Sequence, residues 1–251
     1  MIATSAVIGT AEAVIFDMDG VVTDTASVHE AAWTALFDGY LAELGHAHRP
    51  FDSDDYRRHV DGRARVDGVV GFLRSRGIEL PLGGPADGPT ADTAWGLANR
   101  KNGLFLDTLE RSGVRAFPGS VALLRELRAR HLRTGIVTAS RNADRILAAA
   151  GVGDLFDAQV DGTVAEAEGL AGKPDPATFL AAARHLDADP VRSVVIEDAI
   201  AGVEAGRRGG FGLVVGVDRV GQAAALLEAG ADVVVADLEE LSLEQPLVRA
   251  G

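Results

Sequence analysis

Two aspartates stand one residue apart in Phe16-Asp17-Met18-Asp19-Gly20, and residue types able to work with them recur in order down the chain. These are Thr138-Ala139-Ser140, Lys173 within Gly172-Lys173-Pro174-Asp175-Pro176, and Glu197-Asp198. A hydroxyl, a lysine and paired acids make chemical sense together around a phosphoryl group. Such a group repels an attacking carboxylate, so a lysine and a divalent cation are needed to bring the two together. Magnesium prefers hard oxygen ligands and keeps several waters, so a few carboxylates suffice; Asp17, Glu197 and Asp198 fit that role. Taken singly, each cluster has a plainer reading. Asp17 and Asp19 could be a charged loop, Thr138 and Ser140 helix caps, Lys173 a solvated charge, and Glu197-Asp198 a helix N-terminus. Their recurrence in order favours one shared site.

The elements that must position these residues are legible around them. Ala13 to Phe16 is a short apolar run that stops at Asp17, and comparable runs follow at Thr134 to Thr138, Ser193 to Ile196, Leu213 to Val217 and Asp232 to Val235. They are β-branched and separated by helical stretches, which predicts an α/β fold with a doubly wound, Rossmann-like parallel sheet. In such sheets ligands gather beyond the carboxyl ends of the strands, where the polar clusters fall. The interval from Thr25 to Ser112 contains no convincing strand and reads as helices, with loops at Gly45 to Pro50 and Pro81 to Pro89. The expected organisation is therefore an α/β core formed by 1–24 and 113–251, with a helical cap domain, 25–112, inserted after the first strand. The sheet resumes near Phe117-Pro118-Gly119.

A formal net charge of −13 argues against nucleic-acid or anionic-membrane partners, because the mean field repels polyanions. The absence of cysteine excludes disulfides and thiolate chemistry. No basic head precedes an apolar stretch near Met1, and no apolar run is long enough to span a membrane, so a cytoplasmic protein is expected; a monomer is the separate expectation for its assembly.

The ordered set of a DxD, a Ser/Thr, a Lys and an acidic pair resembles the haloacid-dehalogenase superfamily. The segment from Asp17 to Trp33 (DMDGVVTDTASVHEAAW), Arg100-Lys101-Asn102, Phe117-Pro118-Gly119, Thr138 to Asn142 and Gly172 to Pro176 are further similar to its β-phosphoglucomutase-like family. The resemblance implies a magnesium enzyme acting on a small phosphorylated sugar. Asp17 would be the nucleophile that forms an aspartyl-phosphate, and Asp19 the general acid and base, its backbone carbonyl also binding the metal with Asp17, Glu197 and Asp198. Thr138 and the amide of Ala139 would hold phosphoryl oxygens, with Lys173 balancing charge.

The insert would be a mobile cap that excludes water. Thr25 matches its hinge, His29 and Lys101 match positions that orient Asp19 and sense substrate, and Arg65 matches the arginine holding the distal phosphate, with Arg63 two residues away as the alternative. Ser140, Arg141 and Asn142 would contact the phosphate nearer the core; Asn142 could equally begin the helix towards Ala150. Trp33 reads as cap core. The implied activity is interconversion of β-glucose 1-phosphate and glucose 6-phosphate. A phosphatase using water as acceptor is the main alternative, and a non-catalytic phosphosugar-binding protein another; the latter would be expected to lack one of Asp17, Asp19, Lys173 or Asp198, all of which are present.

Overall fold

The computed structural model describes residues 8–45 and 49–243. Residues 1–7, 244–251 and 46–48 of the expected loop Gly45 to Pro50 lie outside the described residues. The chain divides into two compact units, Thr25–Val114 and the combination of Met1–Asp24 with Arg115–Gly251.

The inserted unit holds α1 (Ala26–Glu43), α2 (Ser53–His59), α3 (Arg65–Ser75) and α4 (Ala94–Ser112). Asp52 caps α2 by accepting from the backbone N–H of Asp54 and Asp55, and the Thr93 hydroxyl caps α4 at Gly96. An aromatic cluster fills the space between the helices: Phe37 lies 4.1 Å from Phe72 and 5.1 Å from Trp33, ring centre to ring centre. Trp33 is buried in that cluster, as its core reading requires. The segment between α3 and α4 is fixed by polar bonds, with Asp87 accepting from the Thr93 hydroxyl at 2.6 Å and Asn99 donating to the Asp87 carbonyl at 2.8 Å.

The other unit is a parallel sheet of six strands: β1 (Ala13–Asp17), β2 (Arg133–Val137), β3 (Ala158–Val160), β4 (Ser193–Glu197), β5 (Leu213–Val217) and β6 (Val233–Val235). Their spatial order is β3-β2-β1-β4-β5-β6. The chain winds outward from β1 in one direction and then in the other, the doubly wound arrangement. The flanking helices are α5 (Pro118–Ala129), α6 (Ala143–Ala150), α7 (Gly162–Ala167), α8 (Ala177–His185), α9 (Ile200–Arg208) and α10 (Ala223–Ala229). β1, β4 and β5 are buried from end to end, which is why AVIFD, SVVIE and LVVGV carry no polar alternation. Phe179, Val195, Val203, Val214 and Leu226 join the sheet to α8, α9 and α10 in one core.

The apolar runs mark five of the strands. The sixth, β3, escapes that reading because it is a three-residue edge strand, Ala-Gln-Val, with only Val160 fully buried. No helix among the described residues is long and apolar enough to cross a membrane.

Candidate active site

Strand register brings Asp17, Thr138 and Glu197 together. Asp17 pairs with Val137 on one side, and Phe16 pairs with Ile196 on the other. Glu197 therefore sits level with Asp17, and Thr138 lies one residue beyond it, on strands about 4.8 Å apart. Lys173 reaches the same point from the loop before α8. Its ammonium donates to Asp17 Oδ1, in a short contact, and to Glu197 Oε1 at 2.6 Å. The other Glu197 oxygen accepts from the backbone N–H of Ala199 at 2.8 Å, just before α9. Asp17, Lys173 and Glu197 are all buried.

Asp19 is held on the opposite side of β1. The Thr138 hydroxyl donates to Asp19 Oδ2 at 3.1 Å and accepts from the backbone N–H of Ser140 at 3.0 Å. The Ser140 hydroxyl in turn accepts from the N–H of Asn142 at 3.1 Å. Ala139 thus lies inside a run of hydroxyl-to-amide turns that carries the chain from β2 into α6. Asn142 is the N-cap residue of α6, but its side chain does not cap the helix. Arg141 does not turn towards Asp17: its guanidinium makes a short contact with the Glu166 carboxylate.

The remaining predicted residues belong to the inserted unit. Thr25 is buried at the N-cap of α1, and its carbonyl accepts from the His29 N–H at 2.9 Å. His29 Nδ1 and Lys101 Nζ are 2.6 Å apart, with His29 stacked on Phe105 at 4.1 Å. Lys101 is buried and lies 4.9 Å from the Phe105 ring and 5.1 Å from that of Trp33, a cation–π setting. Arg65 opens α3 and donates to the Ala98 carbonyl at 3.1 Å.

Electrostatics show an excess of negative charge at the strand ends. Burial pushes the Asp17 carboxyl well above the usual range; Lys173 draws it back, while Glu197 and Asp19 raise it again. Burial alone would lower the Lys173 ammonium, but the Asp17 and Glu197 carboxylates outweigh it and hold it above its ordinary value. One lysine faces more acids than it can balance. Asp17, Glu197 and Asp198 each offer a carboxylate oxygen, and these lie within 4.8 Å of one another. Hard oxygen donors at that spacing around uncompensated charge fit a divalent cation. The Asp19 carboxylate stands outside that group, on Thr138.

Two glycines make room for the acids and were not singled out by their types. A Cβ on Gly20 would overlap the Asp198 carboxylate, and Gly20 also has φ +86°, where an L side chain is strained. A Cβ on Gly202 would overlap the Glu197 carboxylate. The turn carrying Gly20 is tied down, with Gly20 N–H on Thr23 O at 2.8 Å and the Ser120 hydroxyl on Val21 O at 2.6 Å. Gly20→Ala is therefore expected to lose about 1–3 kcal/mol from the backbone alone and to displace Asp198. Urea unfolding and manganese titration, read together, check both effects; wild-type values in both would contradict the packing described.

Comparison with known proteins agrees with this arrangement. The haloacid dehalogenase-like hydrolase family matches residues 11–210. The chain is 47% identical over 237 residues to the β-phosphoglucomutase of Mycobacterium bovis, across 91% of this chain and 90% of that protein. It is 36% identical to the β-phosphoglucomutase of Bacillus subtilis, across 93% and 92%. Among solved structures it is similar to β-phosphoglucomutase from Clostridium difficile, with TM-score 0.76 and 26% identity over 93% of this chain and 94% of that one. A phosphatase name also occurs among its more distant relatives. With its sheet order, its ordered acids and lysine and these likenesses together, the chain belongs to the haloacid dehalogenase-like hydrolases and is an enzyme of their β-phosphoglucomutase-like family.

Proposed function

We propose that this enzyme is a β-phosphoglucomutase that interconverts β-D-glucose 1-phosphate and glucose 6-phosphate through a phosphate ester on Asp17 and a glucose 1,6-bisphosphate intermediate. The observation that carries the reading is the buried Asp17 carboxylate paired to Lys173 beside Glu197, in a chain 47% identical to a protein of that name. Asp17 attacks phosphorus, and the bond from phosphorus to the sugar oxygen breaks. Asp19 gives that oxygen its proton. In the return step the 6-hydroxyl of β-glucose 1-phosphate attacks the phosphoaspartate while Asp19 takes its proton. The bisphosphate reorients, Asp17 receives the 1-phosphate, and glucose 6-phosphate leaves.

Lys173 offsets the charge of Asp17 and the phosphoryl oxygens. Thr138 sets the angle of Asp19, and the Ala139 amide and Ser140 are candidates for phosphoryl oxygens. Magnesium, held by Asp17, Glu197, Asp198 and the Asp19 carbonyl, would supply the remaining positive charge at the transferring group. Arg65 and Lys101 are the candidates for holding the second phosphate, and His29 fixes the Lys101 ammonium. Arg141, engaged by Glu166, would need to leave that carboxylate before contacting a sugar phosphate.

The same Asp17 and Asp19 chemistry with water as acceptor would make a sugar-phosphate phosphatase, a reading favoured by the hydrolase family match and by the phosphatase name of a more distant relative. One assay separates the two. β-Glucose 1-phosphate and magnesium are incubated with the enzyme, with and without trace glucose 1,6-bisphosphate, while glucose 6-phosphate and free phosphate are measured together. Bisphosphate-dependent formation of glucose 6-phosphate with little free phosphate is expected; free phosphate released in step with substrate loss would replace the mutase reading with the phosphatase.

A further inference from the structure

Arg219 lies just past β5 and takes no part in the phosphoryl chemistry above, yet its side chain is held by an aromatic ring and, through Nε and Nη1, by three oxygen acceptors, while its buried Nη2 has no hydrogen-bond partner among the described residues. The guanidinium sits 3.9 Å from the centre of the Phe117 ring. Nη1 donates to the Ala236 carbonyl at 3.0 Å and to Asp237 Oδ2 at 2.7 Å. These contacts aim Nε at the Gly20 carbonyl, to which it donates at 3.1 Å. A cation–π face and a charge-assisted pair make such an orientation firm. The backbone that carries Arg219 is fixed as well, because Asp218 accepts from the N–H groups of Val220, Gly221, Gln222 and Ala223. Three residues further on, Gln222 Nε2 donates to the Asp198 carbonyl at 3.0 Å.

The segment after β5 therefore grips one backbone carbonyl in each of two site loops, at Gly20 and at Asp198. Gly20 has no side chain by which to be held, and the Asp198 carboxylate occupies the space where its Cβ would be. Any rocking of the Gly20 turn would push on that carboxylate. It would also swing Asp19, the preceding residue.

We propose that Arg219 is a positioning residue: through the Gly20 carbonyl it sets the turn bearing Asp17 and Asp19 against Asp198, and so fixes the spacing of the metal-binding carboxylates. Its effect on turnover rests on the phosphoryl-transfer reading, whereas its effect on metal binding is independent of the substrate.

The test is Arg219→Ala in the full chain, with manganese binding measured by calorimetry alongside turnover of sugar phosphate. Groups behind metal ligands typically alter affinity or activity by about 10–100-fold. A loss of that order is expected in manganese affinity and in kcat, with the KM for sugar phosphate little changed, and added guanidinium ion restoring part of both. A variant that melts cooperatively and keeps wild-type manganese affinity would overturn the proposal, as would losses that guanidinium leaves untouched. Should Arg219→Ala not fold, Asp237→Asn keeps the guanidinium but loosens its anchor. A shift of both quantities in the same direction is then expected, and unchanged values overturn the proposal. Wild-type protein that binds manganese but turns over no sugar phosphate would sink the proposed function, while the manganese titrations would still decide the role of Arg219.

Discussion

Asp17→Asn is expected to lower turnover by about 10⁴-fold or more, as removal of a group that makes the covalent bond does elsewhere, while leaving the fold intact. An amide is nearly the same size as the carboxylate but a far poorer nucleophile, and it cannot balance Lys173 or bind a cation strongly. Stability should move the other way. Burial raises the Asp17 pKa in the folded chain. In metal-free protein the carboxylate therefore weakens folding increasingly as pH climbs from its unfolded value to its folded one, and by a constant amount above that. The Asn variant escapes this penalty, so its metal-free melting temperature at neutral pH should be no lower than that of the wild type. Magnesium should raise the melting temperature of the wild type more than that of the variant, since only binding to the folded state stabilises it. Steady-state assays and paired melting curves check both halves; retained activity would remove Asp17 from the chemistry.

Lys173→Met should abolish activity and also destabilise the core unit, which separates it from the first variant. The ammonium is buried between Asp17 and Glu197, and Met fills similar volume without the charge. Deleting one partner of a buried ionic group typically costs about 3–5 kcal/mol because the other charges are left unpaired. The Lys173 pKa is raised in the folded chain, so its contribution is fully present below the unfolded lysine value and fades only as pH rises through the folded one. At neutral pH the wild type has all of it. Without the lysine, Asp17 loses the charge that draws its raised pKa back down, so its carboxyl takes up a proton more readily as pH falls. The loss in melting temperature should accordingly be smaller at pH 5 than at pH 8. A pH-independent loss would show that Lys173 acts through packing, for instance through the Phe179 ring 4.9 Å away, rather than through charge.

Asp17, Thr138 and Glu197 are readable because each ends an apolar run, whereas Lys173, in the loop before α8, is legible from its type and its place in the order. In a parallel sheet the register of Asp17 with Val137, and of Phe16 with Ile196, converts neighbouring strand ends into neighbouring side chains. Residue type and order were thus enough to gather Asp17, Thr138, Lys173, Glu197 and Asp198. What they could not supply was the direction of individual side chains. Arg141 turns to Glu166 instead of Asp17, a pairing of residues 25 apart that no local pattern announces. Asn142 occupies a helix N-cap without using its side chain. Gly20 and Gly202 matter for the Cβ they lack, which becomes visible only once Asp198 and Glu197 are placed against them. Arg219 touches the site through a backbone carbonyl, a contact with no signature in sequence. β3 was missed for a related reason: a short, half-buried edge strand is specified by its neighbour β2 more than by its own residues.

The most direct test is to catch the phosphorylated enzyme itself. The protein would be mixed with glucose 1,6-bisphosphate and magnesium, quenched in acid within the first turnover, digested and weighed. The added mass of one phosphoryl group should appear on the peptide containing Asp17, and disappear in Asp17→Asn. Phosphate trapped on a different side chain, or full turnover with no acid-stable label on any peptide, would contradict the account.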